Sequence, residues 1–281
     1  MSLVNTNWLE KNLDKVKIID CSWHMPQTKR NGFEEYKDQH IENAIFFDLD
    51  KNSETDTDLP HMLTNIKSWE KIVSDMGIRN DDQIIIYDNS DVISSCRCWY
   101  NFIYFGHDPN LVHVLDGGLK KWINEKKPTT NNLTKTTNSN YIASEKKELV
   151  KDKKQVDENI DKNEFIVIDA RSRDRFEGKV PEPRHGLRSG SIKNSFCLPF
   201  SELINEDHTF STKEKILEKF RLTKCNLDEN IVFTCGSGVT ASVLALAYSL
   251  IDIKYKPIIY DGSWSEYGKI KIWKDQLKLH L

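Results

Sequence analysis

Asn230-Ile-Val-Phe-Thr-Cys-Gly-Ser-Gly-Val-Thr-Ala-Ser-Val-Leu-Ala-Leu-Ala-Tyr248 reads in three parts. Ile231–Thr234 is short and almost continuously apolar, the pattern of a strand covered on both faces of a parallel sheet. Cys235-Gly-Ser-Gly238 then breaks the run with two glycines. From Val239 the chain turns rich in alanine and leucine, and a helix over 239–250 is expected. Strand, tight loop and helix place Cys235 beyond the carboxyl end of the sheet, where α/β proteins collect functional groups. Gly236 and Gly238 permit positive φ and close approach of backbone amides. Successive N–H groups over residues 236–240, backed by the positive end of the helix, are expected to form an anion nest. That setting favours a thiolate, and equally a persulfide anion, over a neutral thiol.

Working outward, the segment has an earlier counterpart. Gln83-Ile-Ile-Ile-Tyr-Asp88 parallels Asn230 to Cys235 at an offset of 147. Val16-Lys-Ile-Ile-Asp20 returns as Phe165-Ile-Val-Ile-Asp169 at 149, and Ile41-Glu-Asn-Ala-Ile-Phe46 as Ile192-Lys-Asn-Ser-Phe-Cys197 at 151. His113-Val-Leu-Asp-Gly-Gly118 returns as Ile258-Ile-Tyr-Asp-Gly-Ser263 at 145. Ordered matches at a nearly constant offset mark two copies of one unit. Asp88 stands where Cys235 stands, so the first copy lacks the thiol.

In the second copy, strands are expected over 165–169, 196–198, 231–234 and 256–260, with helices over 212–221 and 239–250. Such alternation gives an α/β fold in which each copy is a mostly parallel sheet flanked by helices. The copies fall at 1–128 and 151–281, with a linker over 129–150. Residues 126–144 are rich in Thr and Asn and read as an exposed connector. The mixed charges from Glu145 to Lys154 read as one solvated helix face.

Composition narrows the classes. A chain of 281 residues with 38% hydrophobic and 30% charged residues suits two globular domains. A net charge of −3 points to neither nucleic acid nor an anionic membrane as partner. No apolar stretch approaches the eighteen residues of a membrane span. The first twenty residues carry no apolar signal core and no arginine-rich presequence, so a cytosolic address is expected, with mitochondria left open. Six cysteines (Cys21, Cys96, Cys98, Cys197, Cys225 and Cys235) are scattered, with neither disulfide density nor zinc spacing. Trp23, Trp69, Trp99, Trp122, Trp264 and Trp273 read as core or interdomain packing, with Trp264 a candidate to line a cleft.

Cys235-Gly-Ser-Gly-Val-Thr-Ala241 resembles the active-site loop of the tandem-domain rhodanese sulfurtransferases, in their 3-mercaptopyruvate branch. Thiosulfate-preferring relatives carry basic residues in place of Gly236 and Ser237. The resemblance spans nearly the whole chain and includes Phe47-Asp-Leu-Asp50, His61-Met-Leu63, Leu115-Asp-Gly-Gly-Leu119, Arg175-Phe176, Pro181-Glu-Pro-Arg184 and Tyr260-Asp-Gly-Ser-Trp264. It implies two rhodanese-like domains, the second catalytic, with sulfur carried as a persulfide on Cys235. The implied donor is 3-mercaptopyruvate, and the acceptor a thiol, thioredoxin or cyanide. No metal or organic cofactor is implied, and a monomer or weak dimer is expected.

An α-keto acid presents a carboxylate and a carbonyl, so its pocket needs fixed cations. Residues 169–184 supply four arginines just past a strand end, and the guanidinium fork matches a carboxylate. By resemblance, Arg175 and Arg184 bind the substrate, together with Gly236, Gly238, Val239 and Thr240 of the loop. Arg171 and Arg173 read as structural, paired with Asp169, Asp174 or Glu177, or simply exposed. The resemblance also implies a proton relay of Ser237, His61 and Asp50, the last two from the first copy. The sequence departs from the family at Leu59-Pro60, where an acid is common before the histidine. It departs again at Ser191, where relatives carry histidine and the first copy keeps His40.

Three other readings compete. Thiosulfate as donor releases sulfite, a compact dianion that would suit positive charge beside the cysteine, and Gly236 and Ser237 offer none. A cysteine phosphatase needs an arginine six residues past its nucleophile, where this chain has Ala241. A non-catalytic binding module matches the first copy, but the second keeps its cysteine loop.

Overall fold

The computed structural model describes residues 2–224, 230–252 and 254–270, and in it each copy builds its own five-stranded sheet. Across the first sheet run Leu3–Val4, Val112–Leu115, Ile84–Tyr87, Lys17–Asp20 and Ala44–Phe46. Across the second run Val150–Lys151, Ile259–Tyr260, Ile231–Thr234, Ile166–Asp169 and Phe196–Cys197. The order is the same, strand for strand, and every pairing within the two sheets is parallel. Asp20 lies opposite Tyr87 and Asp169 opposite Thr234, so Asp88 and Cys235 leave their sheets at the same height. The turns repeat as well: Asn43 and Asn194 have φ of 64° and 63°, His61 and His208 of 60° and 64°. The duplication read from sequence is a duplication of backbone.

Local boundaries follow side-chain chemistry. Thr212 caps the helix Lys213–Leu222 by accepting from the Lys215 amide. The strand expected over 256–260 shortens to Ile259–Tyr260, because Pro257 has no N–H for the ladder.

Two helices join the copies. Ser95–Tyr104 follows the Asp88 loop, Val239–Ile251 follows the Cys235 loop, and the two pack on each other. All ten residues of Ser95–Tyr104 are buried, as are all but Thr240 among Val239–Tyr248. A helix that is covered all round belongs at a centre, and here it sits in a core continuous between the copies. Since each helix begins directly after its loop, packing the helices also brings the two loops to one interface.

The linker is mostly exposed, as expected, but it is docked on the first domain. Thr129–Thr130 pairs antiparallel with His40–Ile41, and the amides of Ser139, Ser144 and Lys146 donate to the carbonyls of Ser74, Phe105 and Tyr104. Tyr141 is buried and stacks flat on His107 at 5.8 Å. The run from Glu145 to Lys154 is not one helix face: it divides into a 3-10 turn at Lys147–Leu149, the edge strand Val150–Lys151, and the start of a helix at Lys153. Leu149 is buried and Val150 pairs with Ile259. Polar composition identified a connector, but Thr and Asn also serve as backbone partners, and these are spent against the first domain. Among the described residues no helix is long and apolar enough to cross a membrane. Trp273 and Cys225 lie outside the described residues.

A docked linker makes Tyr141 a core residue. Tyr141→Ala is expected to lower stability by about 3 kcal/mol in urea denaturation, whereas a loose connector would lose almost nothing.

Candidate active site

The strand Ile231–Thr234 ends in a loop held by several of its backbone groups. The Cys235 carbonyl accepts from the Trp264 amide at 2.9 Å, and the Gly236 carbonyl from the amide and hydroxyl of Ser265 at 2.9 and 2.6 Å. Ser263 is held in the left-handed region at φ 47°, a strained setting for a residue with a side chain. Its hydroxyl explains the strain: Oγ accepts from the amides of Cys235 at 3.3 Å and Gly238 at 3.1 Å, and donates to the Tyr260 carbonyl at 2.8 Å. The expected nest is therefore narrower than residues 236–240. Gly238, at φ 80°, shapes the turn, but its amide is already taken by Ser263. The amides of Gly236, Ser237, Val239 and Thr240 donate to no protein acceptor among the described residues. They remain available to an anion.

Cys235 itself is 2% exposed and lies at the floor of a cleft. Around it stand Arg175, Arg184, Gly236, Ser237, Val239 and Thr240 of its own domain. Trp23, Met25 and Val92 close the cleft from the first domain. A Cβ built on Gly236 would meet Arg175 Nη2 at 3.3 Å and Arg184 Nη1 at 3.5 Å, so both guanidiniums flank the loop. Arg175 is oriented by Glu182, which accepts from its Nη2 at 2.6 Å and Nε at 3.2 Å. Arg184 Nη2 reaches Ser237 Oγ at 3.4 Å, and burial pulls this guanidinium below its ordinary pKa.

Ser237 Oγ lies 2.9 Å from Nδ1 of His61, whose Nε2 lies 3.0 Å from Asp50 Oδ1. The three residues of the expected relay thus meet across the domain interface. Trp23 Nε1 donates to both Asp50 oxygens at 3.1 and 3.0 Å, and its ring meets the imidazole edge-on at 4.6 Å. The hydrogen bond from His61 holds the Asp50 carboxyl below its usual pKa. Burial pushes the His61 imidazole below its usual pKa as well, against the pull of Asp50 and with Arg184 and Arg97 adding to the fall.

Cys235, the two arginines and the Ser237–His61–Asp50 chain thus stand together at one cleft. The model of the Rhodanese-like domain matches residues 5–125 and again 152–269. The chain belongs to the rhodanese family. It is similar to thiosulfate/3-mercaptopyruvate sulfurtransferase 1, mitochondrial, of Arabidopsis thaliana, at 36% identity over 95% of this chain and 76% of that protein. The 3-mercaptopyruvate sulfurtransferase of Mus musculus is 33% identical over 95% of this chain and 91% of its own. Thiosulfate sulfurtransferase of Rattus norvegicus is 34% identical with the same coverage. Among solved structures, the 3-mercaptopyruvate sulfurtransferase SseA of Escherichia coli superposes with a TM-score of 0.85 at 31% identity, covering 95% of this chain and all of that one.

The other sequence candidates sort cleanly within this tandem rhodanese. Arg171 is buried against Asp169 at 2.7 Å and Glu182 at 2.8 Å, a structural role. Arg173 pairs with Glu202 at 2.6 Å, not with Asp174 or Glu177. Trp264 does not line the cleft: it is core, stacked between the guanidiniums of Arg171 and Arg188, each 4.4 Å from its ring. Trp23 takes the cleft position instead. Glu182 was hidden between two prolines with nothing local to mark it, and its buried carboxylate orients Arg175 and Arg171 together. Ser263 could have been found from its match to Gly118, a glycine at φ 54° in the first copy.

Below about pH 6.5, the usual midpoint of an imidazole, His61 stays neutral longer than an exposed histidine. Following its ring resonances by NMR titration is expected to give a midpoint below that value. Asp50→Asn removes the group that favours the charged form, so the midpoint should fall further.

Proposed function

We propose that this rhodanese-family sulfurtransferase takes sulfur from 3-mercaptopyruvate and carries it as a persulfide on Cys235. Delivery follows to a small thiol, a reduced thioredoxin or cyanide. One observation carries the choice of donor: a side-chain-free Gly236 and a neutral Ser237 sit between two arginines. A pair of guanidiniums suits the carboxylate and carbonyl of an α-keto acid. A basic residue at 236, of the kind thiosulfate-preferring relatives carry, would approach both Arg175 and Arg184 and be repelled by them.

In the proposed reaction, Sγ of Cys235 attacks the donor sulfur as a thiolate. The new S–S bond forms while the C–S bond breaks, its electron pair passing to the carbon that becomes the methyl group of pyruvate. The donor thiol gives up its proton to Ser237 Oγ as Ser237 passes its own to Nδ1 of His61. The same relay returns a proton to the enolate carbon. Thiolate and mercaptopyruvate thus become persulfide anion and pyruvate, with atoms and charge in balance. Asp50 accepts from Nε2–H, keeping Nδ1 as the acceptor facing Ser237. The first domain, with Asp88 in place of a thiol, is catalytically silent and serves as the wall and proton store of the second.

Thiosulfate is the second reading, since the Arabidopsis and rat relatives are named for it. Mass spectrometry after incubation with each donor separates the two. One added sulfur on the Cys235 peptide is expected with mercaptopyruvate, formed faster than with thiosulfate, and none is expected in Cys235→Ser. Faster loading from thiosulfate would reverse the assignment of donor.

A further inference from the structure

The relay rests on a backbone held in an unusual place. His61 has φ of 60°, a left-handed conformation that a residue with a large side chain adopts at a cost. The loop bearing it reaches across from the first domain, and two contacts pin it. The His61 carbonyl accepts from Arg97 Nη2 at 2.6 Å. Two residues on, the Leu63 amide donates to Asp261 Oδ2 at 2.8 Å. Asp261 belongs to the second domain and lies two residues before Ser263, which organises the cysteine loop. Its other oxygen, Oδ1, accepts from the same Arg97 Nη2 at 2.6 Å.

Arg97 therefore ties three things together. It is wholly buried, in the helix Ser95–Tyr104 of the first domain. Its Nη1 lies against Gly238, where an added Cβ would come within 2.6 Å, so the guanidinium forms the floor beneath the turn that follows Ser237. Nε and Nη1 have no hydrogen-bond partner among the described residues. Burying a guanidinium is costly, and a side chain serving packing alone would be better replaced by an apolar one.

The duplication supplies an internal control. Asp116 corresponds to Asp261, and it accepts at 2.8 Å from the amide of Phe210, two residues past His208, as Asp261 does from Leu63. The mirror-image latch exists. What it lacks is the arginine: Arg97 is the third residue of its helix, and the third residue of Val239–Ile251 is Ala241. Burial pushes the Asp116 carboxyl up to about 6, with no buried guanidinium to counter it. Among the described residues, a buried arginine stands at this helix position on the side that serves Cys235, and Ala241 takes its place on the other.

We infer that Arg97, acting with Asp261, is a positioning residue of the sulfur-transfer site: it sets the His61 imidazole against Ser237 by clamping the His61 carbonyl, the Leu63 amide and the Gly238 turn to one buried point. This deepens the proposed relay and rests on it. The clamp touches neither donor nor sulfur and acts through His61.

The test is a double-mutant cycle read by single-turnover persulfide formation from 3-mercaptopyruvate, normalised to alkylatable Cys235 so that misfolded protein does not count. Asp261→Asn keeps the volume but turns one acceptor into a donor, so either Leu63 or Arg97 loses its partner. The rate is expected to fall at least tenfold, with KM within threefold because Arg175 and Arg184 are untouched. Arg97→Met should show the same signature; if it fails to fold, Asp261→Asn carries the test alone. His61→Asn tolerates the left-handed backbone but cannot relay a proton, and in that background Asp261→Asn is expected to cost less than twofold. Full rate in Asp261→Asn, or the same loss with and without His61, overturns the clamp while leaving the relay standing. Full rate in His61→Asn would sink the relay and the clamp with it.

Discussion

Burial of the helix Ser95–Tyr104 against the helix Val239–Ile251 is the constraint on which the rest depends. The strands are two to four residues long, and ladders so short give little rigidity by themselves. The apolar surface of these helices, covered all round, does what the ladders cannot. Each helix starts where its sheet's loop ends, so the contact that closes the core also fixes one loop against the other. Neither domain contains the cleft. It exists only where the two meet.

The two copies exchange loops symmetrically, and their chemistry diverges within that symmetry. After the third strand of its five-stranded sheet in sequence order, each copy sends a segment across the interface. One carries His61 to Ser237; the other places His208 and Phe210 beside Asp88, Ser95 and Lys120. In the first copy the carboxylate is consumed locally: Asp88 accepts from the amides of Ser90 and Ser95 at 2.8 and 2.9 Å and so anchors the start of its helix. The loop from Asp88 to Ser95 is also longer than that from Cys235 to Val239, and it projects Val92 into the opposite cleft. A domain with Asp88 at the place of Cys235 thereby supplies a wall, a histidine, a carboxylate and a buried cation.

Charge around the sulfur is arranged so that the cations do not collapse onto it. Glu182, buried itself, accepts from both Arg171 and Arg175, which fixes Arg175 at the rim in a defined orientation. Arg184 contacts Ser237 with one nitrogen at long range, and its remaining donors have no hydrogen-bond partner among the described residues. Amides from Gly236, Ser237, Val239 and Thr240 complete the positive surroundings. Preorganised dipoles and two guanidiniums thus surround the Cys235 sulfur, an arrangement that would need little reorganisation around an anion.

Much of this was legible in the chain alone. Strand, loop and helix around Cys235 are written in neighbouring residues, and the duplication follows from repeated apolar runs, so the tandem α/β architecture could be read without coordinates. The arginine pair and the relay came through likeness of motifs, because nothing in the spacing of His61 and Ser237 says that they meet. Local composition misled where it was polar: the Thr- and Asn-rich linker is docked, since those side chains and their backbone found partners 60 or more positions away. Glu182, Trp23, Ser263 and the Arg97–Asp261 clamp belong wholly to tertiary structure. The physical reason is range. Backbone preference and hydrophobic period act over a few residues and are carried by the sequence itself, whereas a buried ion pair spanning 164 positions is decided only when two finished domains bring their faces together.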